Sequence, residues 1–308
     1  MNGADSAIKT ALDAGLEVCF ANPGTTEMPT VMALDSVPGL HAVLALQENV
    51  VTGAADGYGR MAGKPALTLL HLGPGFANGI ANLHNARRAR TPIVNMIGEH
   101  ATWHAAADAP LASDIEGLAG PVSAWVKRSE SADTMAADMS EAIAQACGGA
   151  GQVATLILPH DLQLGSGGGA APPVAPAPRR KVPDTRLRAV AEALRKGGAV
   201  IFIGGDGLSE RGLKAAWRVA SLCEAALISP TSNARGERGA GLPPFERVPY
   251  LPEQALECLA PYRCMVLAGV KAPVGFFGWP GMPSSMVPEG CELSLLAEPD
   301  DDIVAALE

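Results

Sequence analysis

The stretch Val43-Leu44-Ala45-Leu46-Gln47-Glu48-Asn49-Val50-Val51-Thr52-Gly53-Ala54-Ala55-Asp56-Gly57-Tyr58-Gly59-Arg60, continued by Lys64-Pro65-Ala66-Leu67-Thr68-Leu69-Leu70-His71-Leu72-Gly73-Pro74-Gly75-Phe76-Ala77-Asn78-Gly79, decides the fold. Val43 to Leu46 is a short apolar run suited to a buried parallel strand, with Glu48 just past its carboxyl end. Gly53, Ala54, Ala55, Gly57 and Gly59 lie in the helix that follows and allow another backbone to approach closely. A second apolar run, Ala66 to Leu70, ends in His71 and a Gly-Pro-Gly loop, and the next helix is expected to begin near Asn78. Ligands of open α/β sheets bind outside the carboxyl ends of the strands. Two consecutive strands therefore bring a carboxylate and an imidazole to one edge.

The flanks extend this pattern. Asn2 to Ala14 carries apolar residues at helical spacing, and Val18 to Ala21 is a short strand. It runs into Asn22-Pro23-Gly24-Thr25-Thr26, a turn expected to open a helix from about Glu27 to Ser36. Backbone N–H groups and the Thr25 hydroxyl thus reach the same edge, although an ordinary βα turn would also use Asn and Pro for geometry alone. Taken singly, Glu48 reads as a helix N-terminal acid favoured by the macrodipole, and His71 as a structural histidine. Pro92 to Gly98 is a third buried strand, followed by Glu99, His100 and a polar loop with Trp103, His104, Asp108 and Asp114. His100 and His104 have the spacing of a helical zinc pair but lack the glutamate beside the first histidine, so the loop reads as a substrate-side or subunit contact. Leu118 to Val126 and Ala132 to Ala146 read as helices, and Val153 to Pro159 as the last strand of this part.

Residues 165–180, glycine-rich at first and then Pro/Ala-rich, read as a linker between a first domain, 1–164, and a second, 181–308. The second opens with a helix, Asp184 to Arg195. Strands Val200 to Ile203, Ala226 to Ile228 and Cys264 to Gly269 follow, with a helix from about Ser209 to Cys223 after the first. The fold class is α/β, two consecutive parallel-sheet three-layer domains of Rossmann-like or flavodoxin-like type.

Composition narrows the function. With 308 residues, 48% hydrophobic but only 4% aromatic, the chain can build two cores from Ala, Val, Leu and Ile. A net charge of −9 argues against nucleic acid as a partner. Arg87, Arg88 and Arg90 read as cations at a helix C-terminus. The six cysteines have no metal spacing and read as reduced thiols. No apolar run approaches the ~20 residues needed to span a bilayer. With no signal-peptide pattern at the N-terminus, the expectation is a cytoplasmic protein.

The ordered set Asn22-Pro23-Gly24, Gln47-Glu48, Ala55-Asp56-Gly57-Tyr58-Gly59-Arg60 and Gly73-Pro74-Gly75 with Asn78 resembles the pyrimidine-binding domain of thiamine-diphosphate enzymes. The subgroup is that of benzoylformate decarboxylase and acetolactate synthase. The likeness runs through roughly residues 1–165, and a weaker one to the central domain of those enzymes covers about 180–308. It implies thiamine diphosphate as cofactor, with Pro23, Gly24, Glu48, Gly73 and Asn78 in its binding. Glu48 would share a proton with the aminopyrimidine ring and so activate the cofactor. His71 resembles the histidine that acts in proton transfer in benzoylformate decarboxylase, and Thr25 falls where that enzyme has serine. Gly73 to Asn78 instead resembles acetolactate synthase, whose pattern has no histidine at this point. The substrate implied is a small 2-oxo acid, with decarboxylation or carboligation as the outcome, in a homodimer or tetramer.

Gly205-Asp206-Gly207 and Asn233 reproduce the spacing of the family's Mg²⁺ and diphosphate motif, but no apolar strand leads into Asn233. The Gly-Asp-Gly also stands where the central domain begins. No metal ligand is therefore expected here. Mg²⁺ is expected only with a C-terminal diphosphate-binding domain that the chain is read as lacking and that a partner chain would supply. FAD in the central domain stays open. The alternatives are a non-catalytic or regulatory paralogue, a split subunit, and a nucleotide binder on Gly204 to Gly207, which lacks the G-x-G-x-x-G pattern.

Overall fold

Runs of apolar residues without alternation become the inner strands of parallel sheets. In the computed structural model, which describes residues 1–308, two such sheets form in two units, Met1–Pro178 and Arg179–Glu308.

In chain order the first unit contains α1 (Gly3–Asp13), β1 (Val18–Asn22), α2 (Met28–Ser36), β2 (His41–Leu44), α3 (Glu48–Ala62), β3 (Ala66–Leu70) and α4 (Leu72–Ala89). It continues with β4 (Ile93–Glu99), α5 (Ile115–Ala119), β5 (Trp125–Arg128), α6 (Met135–Cys147), β6 (Val153–Pro159) and α7 (His160–Leu164). All six strands are parallel, in the order β2-β1-β3-β4-β6-β5. The register aligns Asn22 with Leu70, Leu70 with Ile97, and Ile97 with Ile157. The loops after β1 and β3 therefore leave the sheet at one level, and β4 and β6 run two residues further before theirs begin.

Each face has its own core. Leu67, Leu69, Val94, Met96 and Leu156 pack with α1, α2 and α6 on one side. Ala66, Leu70, Ile93, Ile97 and Ile157 pack with α3, α4 and α5 on the other. Between the central strands the Thr68 hydroxyl donates to Asn95 Oδ1 (2.6 Å), and Asn95 Nδ2 donates to Thr155 Oγ1 (3.0 Å).

Three local expectations are corrected. The strand expected at Val43 to Leu46 is His41–Leu44, an exposed sheet edge paired only with β1, and Leu46 lies beyond it in solvent. Gly-Pro-Gly is not a loop. α4 begins at Leu72, so Pro74 sits in the first helical turn, where its missing N–H has no intrahelical partner to lose. The helix expected over Leu118 to Val126 ends at Ala119, just before Pro121, which has no N–H to donate to a further helical turn, and Trp125–Arg128 is an edge strand.

The 165–178 tract belongs to the first unit and is pinned along it. Gly3 N–H donates to Gly165 O, Ala171 N–H donates to the Thr10 hydroxyl oxygen, and Ser140 Oγ donates to Pro172 O and accepts from Val174 N–H.

The second unit contains α8 (Asp184–Arg195), β7 (Ala199–Ile203), α9 (Glu210–Cys223), β8 (Ala226–Ser229), β9 (Glu246–Arg247), α10 (Pro252–Leu259), β10 (Cys264–Ala268), β11 (Glu292–Ala297) and α11 (Ile303–Leu307). Its parallel sheet runs β11-β10-β7-β8-β9. β9 and β11 were not foreseen; both lie at the edges and carry charged residues. No helix in either unit is long and apolar enough to cross a membrane.

Candidate active site

The carboxyl edge of the first sheet collects Glu27, Glu48, His71, Glu99, His100, His160 and Asp161. Glu48 is the first residue of α3, whose N-cap Gln47 accepts from Asn49 N–H (2.8 Å). It is half-buried. Oε2 accepts from Asn78 Nδ2 (3.1 Å), reached from the second turn of α4, and Oε1 accepts no hydrogen bond. α3 and α4 can cross closely because Gly79 lies against Thr52, whose hydroxyl donates to Gly79 O (2.9 Å).

His71 directly follows β3 and precedes Leu72, a buried residue held at φ 50°. That left-handed conformation costs an L-residue roughly 1–2 kcal/mol. A Cβ on Gly75 would stand 3.3 Å from both Glu48 Oε1 and the His71 Cβ. The bare backbone of Gly75 thus lets the carboxylate and the histidine flank one spot. A Cβ on Gly24 would meet the His71 ring at 2.4 Å, so the Asn-Pro-Gly turn packs directly on the imidazole.

The feature not read from the sequence is Glu27. Its side chain is 0% exposed and hydrogen-bonds His71 Nδ1 at 2.7 Å. The carboxylate also accepts from Gly24 N–H (2.7 Å) and from the Thr26 hydroxyl (2.6 Å). On its far side lies Gly98 of β4, where a Cβ would fall 1.7 Å from Glu27 Oε1. A carboxylate can only accept, so Nδ1 carries the proton and Nε2 of His71 is the nitrogen left for other partners. The sequence held one signal, a glutamate three residues after Asn-Pro-Gly, but it read as a helix start.

The remaining sequence candidates divide. Thr25 is exposed in a short 3-10 turn, and it is Thr26, not Thr25, whose hydroxyl approaches His71 (3.4 Å to Nδ1). Pro23 and Gly24 flank the imidazole side, but the Gly24 N–H is already given to Glu27. Gly73 is buried against Ser113 of the β4–α5 loop. The His100 and His104 rings meet edge to face at 5.5 Å, with Trp103 exposed beside them. No group of three His, Cys, Asp or Glu is arranged to hold a metal.

In the second unit Asp206 pairs with Arg179 (2.5 Å), and Asn233 Nδ2 donates to Ser229 Oγ (3.1 Å) and Pro230 O (2.9 Å). Glu210 N–H at the start of α9 donates to the Glu237 carboxylate (2.5 Å). Gly204 packs on Val270, and Gly269 on Ile303. The cysteines are all free, and burial pushes the Cys19 thiol up to about 12.

Residues 1–119 match the family described as thiamine pyrophosphate enzyme, N-terminal TPP binding domain. The chain is 51% identical over 310 residues to the protein named "Putative acetolactate synthase large subunit IlvX" from Mycobacterium tuberculosis, covering 100% of this chain and 60% of that protein. Benzoylformate decarboxylase of Pseudomonas aeruginosa is 32% identical over 130 residues, 42% of this chain and 24% of that one. The thiamine diphosphate-dependent 4-hydroxybenzoylformate decarboxylase of Rhodococcus jostii RHA1 superposes with a TM-score of 0.81 at 21% identity, over 99% of this chain and 58% of its own. The chain thus spans about 60% of the length of the full-length relative, and the fold is that of thiamine-diphosphate enzymes.

Proposed function

Because its N-terminal domain places this chain in the thiamine pyrophosphate enzyme family, we propose that it supplies the aminopyrimidine side of a thiamine-diphosphate site acting on 2-oxo acids. The observation that carries this reading is the spot beside Gly75. There Glu48 presents an oxygen without a hydrogen-bond partner, next to a histidine whose Nδ1 is already committed to Glu27.

Thiamine diphosphate, when bound, supplies the carbon nucleophile that adds to the carbonyl of a 2-oxo acid. Glu48 Oε1 is the group that would take a hydrogen bond from a ring nitrogen, while Asn78 holds Oε2 and fixes the plane of the carboxylate. His71, steadied through Nδ1, exchanges a proton with the substrate side through Nε2. Thr25 and Thr26 line that side, and Pro23, Gly24 and Gly73 shape the wall behind it. A histidine at this place favours protonation, hence decarboxylation, over carboligation.

The residues of the second unit do not fit the family's other groups. Asp206 is neutralised by Arg179 and the Asn233 amide is turned into its own loop, so no Mg²⁺ or diphosphate role falls to them. A dinucleotide such as FAD would need the N-terminus of α9 and a bare glycine cradle. The first holds the Glu237 carboxylate and the second is filled by Val270 and Ile303.

The test is carbon dioxide release from benzoylformate and from pyruvate. The 308-residue chain is assayed with thiamine diphosphate and Mg²⁺, with and without a protein bearing the family's Gly-Asp-Gly…Asn domain. Turnover is expected only with that protein, and Glu48→Gln should abolish it. Turnover that survives Glu48→Gln would overturn the reading.

A further inference from the structure

Helix α7 is only five residues long, yet three of its polar side chains are bonded to loops of the carboxyl edge. His160 Nδ1 (3.1 Å) and Gln163 Nε2 (3.0 Å) converge on a single acceptor, the main-chain carbonyl of Thr26. Gln163 is completely buried; it also donates to Leu158 O at the end of β6 (2.8 Å) and accepts from the Thr30 hydroxyl in α2 (2.8 Å). Asp161 binds the N–H (2.9 Å) and hydroxyl (2.5 Å) of Thr102 in the β4–α5 loop.

A side chain acts on its neighbours through what it fixes. The Thr26 carbonyl belongs to the peptide that leads into Glu27, and Glu27 is the partner of His71 Nδ1. Nothing in the 3-10 turn itself holds that carbonyl, since the hydrogen bonds of the turn run from Glu27 N–H to Gly24 O (3.3 Å) and from Met28 N–H to Thr25 O. Two donors anchored at the end of β6 therefore set where the buried carboxylate stands relative to the imidazole at the end of β3. A carbonyl can only accept, so His160 carries its proton on Nδ1.

We infer that His160 and Gln163 are positioning residues that hold the Glu27–His71 pair in register through the Thr26 carbonyl. Neither touches the imidazole. The inference rests on the proposed reading for its bearing on turnover, but not for its test, which needs no cofactor.

The test reads the proton between His71 Nδ1 and Glu27 by proton NMR on the whole chain. Held against a carboxylate at 2.7 Å, that proton should appear far downfield, and His71→Asn should remove it. In His160→Ala its exchange with solvent should rise about fivefold, the factor set by one neutral hydrogen bond. His160→Asn, whose amide nitrogen stands close to where Nδ1 stood, should restore slow exchange. Gln163→Met should accelerate exchange at least as much. An exchange rate unchanged in both His160→Ala and Gln163→Met overturns the inference, as does failure of His160→Asn to restore it. A merely structural role would lower the melting temperature in these variants and leave the resonance where it was. If the signal behaves as expected while carbon dioxide release fails with every partner protein, the proposed function falls and this inference stands.

Discussion

At the scale of single residues, two residues that the sequence does not connect decide the site. Gly98 lies far along the chain from Glu27, yet its missing Cβ is what lets the buried carboxylate stand beside His71. Gly98→Ala must push Glu27 away and loosen its bonds from Gly24, Thr26 and His71. Overpacking together with a disturbed buried charge should cost about 3 kcal/mol, read as a lower urea midpoint for the first unit. An unchanged midpoint would mean that Glu27 relaxes freely and is not held as described. Asp161 gives a pH test. Desolvation pushes its carboxyl up, but the Thr102 hydroxyl and N–H and the amides of α7 outweigh this and hold it below the usual carboxylate range. A depressed folded value means the latch on Thr102 contributes fully above the unfolded pKa of about 3.9 and is lost as pH falls through the lower folded value. Fluorescence of Trp103, the next residue after Thr102, should therefore change in acid below about pH 4. Asp161→Asn should remove that transition. A transition that persists in Asp161→Asn belongs to another group.

At the scale of elements, what was legible followed from burial on both faces. β1, β3, β4, β6, β7, β8 and β10 are apolar runs, and the sequence alone places them to within a residue or two. β5, β9 and β11 carry charges because they lie at sheet edges, so no apolar run announces them. β2 misled in the opposite way: its apolar residues suggested burial, but only one side of the strand has a neighbour. Glu48 and His71 were legible as strand-end residues. Glu27 was not, since its role depends on a histidine and a glycine that only the fold brings to it. The exposed β2 edge also carries a consequence. Leu44, Leu46 and Val50 face solvent, Leu46 at 92% exposure, and Met28, Met32 and Met61 are exposed on the flanking helices. Exposed apolar surface of this kind would suit an association site. In a two-fold dimer each substitution counts twice. Replacing Leu46 with Lys should remove roughly 1.5–3 kcal/mol per copy, weakening self-association at least about a hundredfold. Sedimentation across a concentration series decides it. Equal dissociation constants for wild type and Leu46→Lys would place the contact elsewhere.

At the scale of the whole molecule, each unit carries its own pair of cores, one on each face of its sheet. Each has what a domain needs to persist alone. The tract that ends the first unit is glycine- and proline-rich, a composition that suggests free chain, but bonds to Gly3, Thr10 and Ser140 tie most of it down. Proteases cut where backbone can be drawn out into an active site, which requires a run with few bonds to break. Within 165–178 that run is Gly168-Gly169-Ala170: nothing lies within 4 Å of where a Cβ would stand on either glycine. On one side Gly167 N–H is bonded to Met1 O, and on the other Ala171 N–H is bonded to Thr10. A low dose of a broad-specificity protease should therefore cut first at 168–170, leaving two fragments that mass spectrometry resolves and that keep cooperative melts. Thr10→Val removes the acceptor at Ala171 and should lengthen the free run toward the prolines, so cleavage should accelerate and spread to 171. Equal rates in Thr10→Val and wild type would show that the hydroxyl does not restrain the tract. A first cut inside 43–79 would count against the assignment of that stretch to the interior of a stable first unit.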